Sequence, residues 1–146
     1  MKTSNQEKRT FDLADLIFTK DNENEGVWVE PELFGVKIGV EFKVIGANCD
    51  KLITVIEEFN KKYAEVSAIK DTIERAKALD ELYVDTAAKR TVGLRCAADA
   101  EVTIEGKPVE YSDAVVRHIF EKSPVCAQFI VMFSRNTENF TNRKKN

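Results

Sequence analysis

Few residues in this chain are of types that could carry chemistry. His118 is the one histidine among 146 residues. A nucleophile–base–acid relay needs such a base held between a nucleophile and an orienting carboxylate. His118 falls on a stretch of helical spacing opened by Ser112, with no nucleophile or metal ligand at a telling interval, and reads as a helix-surface histidine. Three cysteines follow as candidates: Cys49, Cys96 and Cys126. Cys96 follows Arg95, whose cation would favour a thiolate. The competing reading is three small, reduced, apolar-packing residues. Their odd number and wide spacing argue against a disulfide framework or a zinc site and fit a reducing cytoplasm. Adjacent carboxylates such as Glu57 with Glu58 and Asp80 with Glu81 point in different directions on a helix, so they make no metal pair. The six glycines are scattered and form no phosphate-cradling loop. Asn139-Phe140-Thr141 matches a glycosylation sequon too short to weigh. Trp28 could stack on a ligand, or pack a thin ribbon onto helices. We therefore expect no catalytic residues, no metal site and no cofactor, and a protein that works by binding another protein.

Composition narrows the partners. Lys and Arg total 22 and Asp and Glu total 25, a formal net charge of −3. This mild acidity offers no general attraction to phosphate backbones, so nucleic acid is not the expected partner. Hydrophobic residues make up 43% and charged residues 32%, compatible with a folded domain of ordinary size. No apolar run approaches the roughly twenty residues that span a bilayer, so no membrane contact is expected. Residues 1–10 are polar, read as a flexible arm and carry no signal-peptide core. The expected location is cytoplasmic.

The elements that must position any site follow from periodicity. Phe11, Leu13, Leu16, Ile17 and Phe18 suit one or two helical turns. Asp21 to Glu25, closed by Gly26, reads as an acidic loop. Val27 to Val29 starts a strand that Pro31 ends. Val36, Ile38, Val40, Phe42 and Val44 alternate with polar residues, predicting one strand from 36 to 45 that pairs with 27–29 as a hairpin across Glu30 to Gly35. Asn48 or Asp50 can cap a helix carrying Leu52, Ile53, Val55, Ile56, Phe59 and Tyr63. Val66, Ile69, Ile73, Ala76, Leu79 and Leu82 continue as a second helix, or as an extension of the first. Asp71 and Arg75 are spaced as an ion pair. Asp85 to Ala100 reads as helix on its alanines. Glu105-Gly106-Lys107-Pro108 is a turn between extended flanks. Ser112 caps a helix with Val115, Val116, Ile119 and Phe120, and Ser123-Pro124 opens a last, strongly apolar helix.

The predicted fold class is α+β and mostly α: an N-terminal β-hairpin packed on a helical segment, with a C-terminal helix pair. The expected organisation is a flexible arm over 1–10, a single domain over 11–140 and a disordered basic tail over 141–146.

One order of elements resembles a known family. A segment rich in alanine, Ala87 to Ala100, leads to Glu105-Gly106-Lys107-Pro108-Val109. Tyr111-Ser112-Asp113 then opens a helix that ends near Glu121-Lys122-Ser123-Pro124, and a final helix closes on Asn139-Phe140. Together with Gly26-Val27-Trp28-Val29 and the strand Gly35 to Val44, this resembles tail assembly chaperones of long-tailed bacteriophages and prophages. The resemblance covers most of residues 26–140. It lacks the aromatic that many relatives carry ahead of the Gly-Lys-Pro turn, here the stretch Cys96 to Ile104. It implies a non-enzymatic chaperone in the bacterial host cytoplasm. That chaperone would bind the helical tape measure protein, or another phage tail protein, during virion assembly, and could self-associate. It also implies a longer frameshifted form, for which Lys144-Lys145-Asn146 could be encoded by an adenine-rich slippery run. Within this reading Phe129, Ile130 and Phe133 of the last helix are the expected protein-binding residues, against the alternative that this face is core. Two other functions remain open from sequence: a virion structural protein of the tail or head–tail joint, and a small ligand-binding or cysteine-dependent enzyme domain.

Overall fold

The computed structural model describes residues 8–10 and 12–141, with residues 14–18 described by backbone alone. Most of the expected N-terminal arm (residues 1–7), Phe11, the Leu16, Ile17 and Phe18 side chains, and residues 142–146 of the expected basic tail lie outside the described residues. The fold is α+β and mostly α, as the periodicity predicts. Its elements run α1 (Ala14–Glu25), β1 (Val27–Val29), β2 (Glu32–Leu33), β3 (Val36–Lys37), β4 (Val40–Val44), a 3₁₀ turn (Asp50–Leu52), α2 (Ile53–Ser67), α3 (Thr72–Lys89), β5 (Thr91–Cys96), β6 (Thr103–Ile104), β7 (Lys107–Pro108), α4 (Asp113–Lys122), α5 (Pro124–Arg135) and a closing 3₁₀ turn (Thr137–Phe140).

The main sheet has the order β1-β4-β5, antiparallel throughout. Alternation along β4 buries Val40, Phe42 and Val44 and turns Glu41 and Lys43 to the other face. The buried face meets α4 and α5. Phe42 stacks on Phe120 with ring centroids 5.2 Å apart, among Val84, Leu94, Val116, Ile130 and Val131. A smaller cluster of Ile45, Cys49 and Leu52 sits at the far end of the strand with Val55, Ile56 and Val92 around it.

Several sequence expectations are corrected. The strand expected over 36–45 breaks at Gly39, which adopts φ +80°. A Cβ there would lie 2.9 Å from Val102 Cγ2, so the position suits glycine both in conformation and in space. As a result β1 pairs with β4 alone, Val29 opposite Phe42, while β2 and β3 form a separate small hairpin. The segment expected as helix from 85 to 100 is helix only to Lys89 and then the strand β5, with Val92 the extra residue of a bulge: Val44 pairs with Thr91 and Lys43 with Gly93. The acidic loop expected at 21–25 is the end of α1. Its side chains dock the helix: Asn22 Nδ2 donates to the Phe140 carbonyl, Asn24 Oδ1 accepts from the Asp50 amide, and Glu23 is buried and accepts from Asn48 Nδ2. Neither Asn48 nor Asp50 caps α2; Cys49 holds the cap position of the turn before it.

The break between the two central helices lies at Ala68 to Asp71, a turn later than the Tyr63–Val66 junction the sequence suggested, so Val66 belongs to α2. Two helices, not one long one, span 53–89, because Asp71 takes an extended conformation and accepts from the Glu74 amide at 2.8 Å. Asp71 is thus a cap and not the expected partner of Arg75, whose Nη1 donates to the Ile69 carbonyl. Ser112 and Ser123 cap α4 and α5, and Pro124 takes the first turn of α5.

Candidate functional site: an exposed helical arm

The sequence singled out several side chains for possible chemistry, and the fold disperses them. Cys49 and Cys126 are buried, and burial pushes the Cys126 thiol up to about 12. Cys96 is half-buried and its Sγ lies 3.7 Å from the Val102 carbonyl. Arg95 gives Cys96 no help, since adjacent strand residues face opposite sides. Its guanidinium lies 3.9 Å from the Trp28 ring centroid, and its Nε donates to Glu41 at 2.8 Å. Trp28 itself lies across the sheet: a Cβ on Gly93 would come within 3.0 Å of its ring. The indole is therefore held between a glycine gap and the Arg95 cation on the sheet face shared by Glu41 and Lys43, and not between the ribbon and α4 or α5 as the packing alternative expected. Among the described residues no group of three His, Cys, Asp or Glu side chains could hold a metal ion. Among them also, no helix is long and apolar enough to cross a membrane.

The C-terminal trio divides. Ile130 is fully buried in the core cluster and offers a partner no surface, so its assignment as a protein-binding residue is corrected. Phe129 and Phe133 pack against that core and stack on each other at 6.4 Å, with Phe133 edge-on to Phe140 at 5.8 Å; both stay partly exposed. The outer face of α5 is carried instead by Val125 and Met132, the latter 62% exposed.

A larger exposed apolar surface lies on α2 and α3. Leu52 and Leu82 are buried, yet no residue between them is. Over that stretch the two helices form an arm standing off the core. They hold each other through Phe59, which lies 5.9 Å from Tyr63 and edge-on to Tyr83 at 5.7 Å. At the base Glu58 bridges Lys62 and Lys89. Towards the tip a cleft of about 390 Å³ opens between Tyr63, Val66, Thr72, Ala76 and Leu79. Tyr63 is exposed beside it, and Ile73 is 69% exposed nearby. An amphipathic helix ordinarily turns its apolar stripe to a core. Val55 and Ile56 at the start of α2 pack on the Ile45, Cys49 and Leu52 cluster, but from Phe59 outwards the apolar residues of α2 meet chiefly those of α3. Sequence reasoning placed the apolar residues of both helices but could not tell which lacked a cover, because that depends on where the distant strands and helices pack.

Two further surface features lie at the β3/β5 end of the sheet. The β2–β3 turn, Phe34-Gly35, has both residues at positive φ, as has the β6–β7 turn, Glu105-Gly106. Between β6–β7 and α4 lies an apolar groove of about 540 Å³, lined by Ile104, Pro108, Val109, Val115 and His118 with Glu105, Lys107 and Glu110 along it. His118 is half-buried in its wall.

Deeper in the body, Arg90 is buried. Its Nε donates to Thr86 Oγ1 at 3.3 Å and its Nη1 to Ser134 Oγ at 3.2 Å. Burial, with Arg135 nearby, lowers its pKa to about 10. No carboxylate among the described residues pairs with it at salt-bridge distance. Comparison with protein-family profiles, with curated proteins and with solved structures gives no match.

Proposed function

We propose that the protein is a non-enzymatic tail assembly chaperone of a phage or prophage, acting in the bacterial host cytoplasm on the tape measure protein or another helical tail protein. The order of elements from Gly26 to Phe140 supports the family. The observation that carries the binding role is the outer seam of the α2–α3 arm, where from Tyr63 to Leu79 no residue among those described is buried. A helical client with an apolar stripe fits such a seam as a third helix, with Tyr63, Ile73 and Leu79 as anchors. Charged residues on both sides of the seam keep arm and client in solution. The three cysteines are all free, as a reducing compartment requires.

This reading expects a long helical protein to be encoded beside the chain, and co-expression with that product is the test. The wild-type chain should co-purify with that client, and Ile73→Lys should weaken the complex at least tenfold while leaving the fold intact, since Ile73 is exposed. Purified virions should lack the protein. Its presence in finished particles would replace the chaperone reading with the structural one, and client binding unaffected by Ile73→Lys would remove the arm from the site.

A further inference from the structure

The Phe34 hairpin is costly as a piece of folding. A two-residue turn with both φ values positive favours Asn-Gly or Gly-Gly. Phe34 instead sits at φ +55°, a conformation that crowds the Cβ of an L-residue. It is also 90% exposed, with Val36 exposed beside it. The position thus spends both backbone strain and apolar exposure, and nothing packed on it among the described residues repays either.

A receptor of matching character lies on the same chain. The groove between β6–β7 and α4 has an apolar floor of Ile104, Pro108, Val109 and Val115, and about 540 Å³ is within the range that encloses small ligands (~300–1,000 Å³) and so admits a phenyl ring. The charges complement. Glu32 and Lys37 face each other at the base of the Phe34 hairpin, while Glu105, Glu110 and Lys107 line the groove. Lys37 can meet an acid there and Glu32 the lysine. Both features spring from one end of the sheet. β3 leads into Val40, Val40 pairs with Cys96 at the end of β5, and Ala100 and Val102 close on Gly39.

We propose that two copies of the chain join reciprocally, the Phe34 hairpin of each seated in the β6–β7/α4 groove of the other. A two-fold axis makes both contacts at once, so each copy hides its exposed phenyl and fills its groove in a single closed interface. This surface is separate from the α2–α3 arm, so its failure leaves the client-binding reading untouched.

Sedimentation velocity of the full chain over a dilution series tests the proposal. Wild type should sediment at twice the monomer mass and dissociate on dilution. Phe34→Asn should be monomeric at the same concentrations, with association weakened at least tenfold. At dilutions where both proteins are monomeric it should also melt at a higher temperature, because asparagine tolerates the left-handed turn; a folding failure is therefore not the expected cause of monomerisation. Ala114→Glu, at an exposed position lining the groove, should likewise be monomeric. Mixing these two variants restores one of the two contacts and should recover part of the dimer. Ile73→Lys, on the arm, should dimerise as wild type does. A wild type that stays monomeric up to millimolar concentration overturns the proposal. So does a Phe34→Asn dimer of undiminished strength, an Ile73→Lys monomer, or a variant mixture that recovers nothing. Loss of client binding by Phe34→Asn in a monomeric wild type would assign the hairpin to the client instead.

Discussion

Arg90 and Ser134 meet at 3.2 Å inside the protein, 44 residues apart, and the Ser134 hydroxyl in turn donates a hydrogen bond to the Ile45 carbonyl at 2.7 Å. One hydroxyl thus ties the end of α3, the end of α5 and the loop after β4. The Ala47 amide adds a bond to the Ser134 carbonyl at 2.9 Å. Buried polar groups hold a fold in one arrangement only when each is satisfied, and this one serves a cation with no nearby carboxylate among the described residues.

Ser134→Ala should therefore destabilise the protein by about 2–3 kcal/mol, since it leaves a charged donor and a carbonyl without their partner. In a double-mutant cycle by urea denaturation, adding Arg90→Met should cost less than the two single changes summed, because the apolar side chain removes the stranded cation. Additive costs would show that the two groups are not coupled.

Gly46→Ala should loosen α1. A Cβ at Gly46 would stand 2.6 Å from the Glu23 Cβ, in the site where Glu23 is buried and its carbonyl accepts from the Gly46 amide. Overpacking of this kind costs about 1–3 kcal/mol. Hydrogen exchange should show α1 losing protection while β4 and α5 keep theirs; equal loss everywhere would mean that α1 is integral to the core.

Cysteine labelling should separate by site. At pH 8 the Cys126 thiol, with a pKa near 12, is almost wholly protonated and enclosed, so it should label only as fast as the protein opens. Cys49 is equally enclosed. Cys96 is half-buried and should react first. Mass spectrometry of the native protein after brief exposure to iodoacetamide checks the order.

Asp85 should contribute to the acid limb of stability. Burial pushes its carboxyl up, but hydrogen bonds and charge from Lys89 and Arg117 together outweigh that and leave it below the ordinary carboxylate value. A depressed acid stabilises the fold above its unfolded pKa, and the contribution disappears as pH falls through the folded one. Asp85→Asn should then cost about 0.5–1 kcal/mol near neutrality and nothing at the acid end of the curve. A pH-independent cost would point to packing instead of charge.

Much of this architecture was legible where local chemistry decides it. Ser112, Ser123 and Pro124 announce their helices because caps act within a turn of themselves, and β4 announces itself because one face is buried. β5 was hidden: Ala87, Ala88, Ala97 and Ala98 around it favour helix, Gly93 weakens either reading, and its strand character comes from pairing with a segment 47 residues away, Val44 with Thr91. The end of α1 was hidden for the opposite reason. Asn22, Glu23 and Asn24 look solvated, yet they are the polar groups that dock it. The last helix showed its apolar character but not its sidedness, so Ile130, which is core, was grouped with Phe129 and Phe133, which keep an exposed edge.

The arm between Leu52 and Leu82 also bears on how the chain finds this fold. β4 cannot pair with β5 until everything between them has been gathered, and helix hairpins form from near neighbours faster than distant strands meet. Once α2 and α3 fold against each other, the start of α2 and the end of α3 stand at the same base, joined by the Glu58–Lys89 ion pair. The free chain left to close is then only the short run from Val44 to Leu52 and the turn at Arg90, since α3 continues to Lys89. The entropy saved is modest, about 0.6 kcal/mol for each halving of a loop, but it arrives early. A segment proposed to receive a client on its outer seam would thus serve first as the clasp that brings the sheet together.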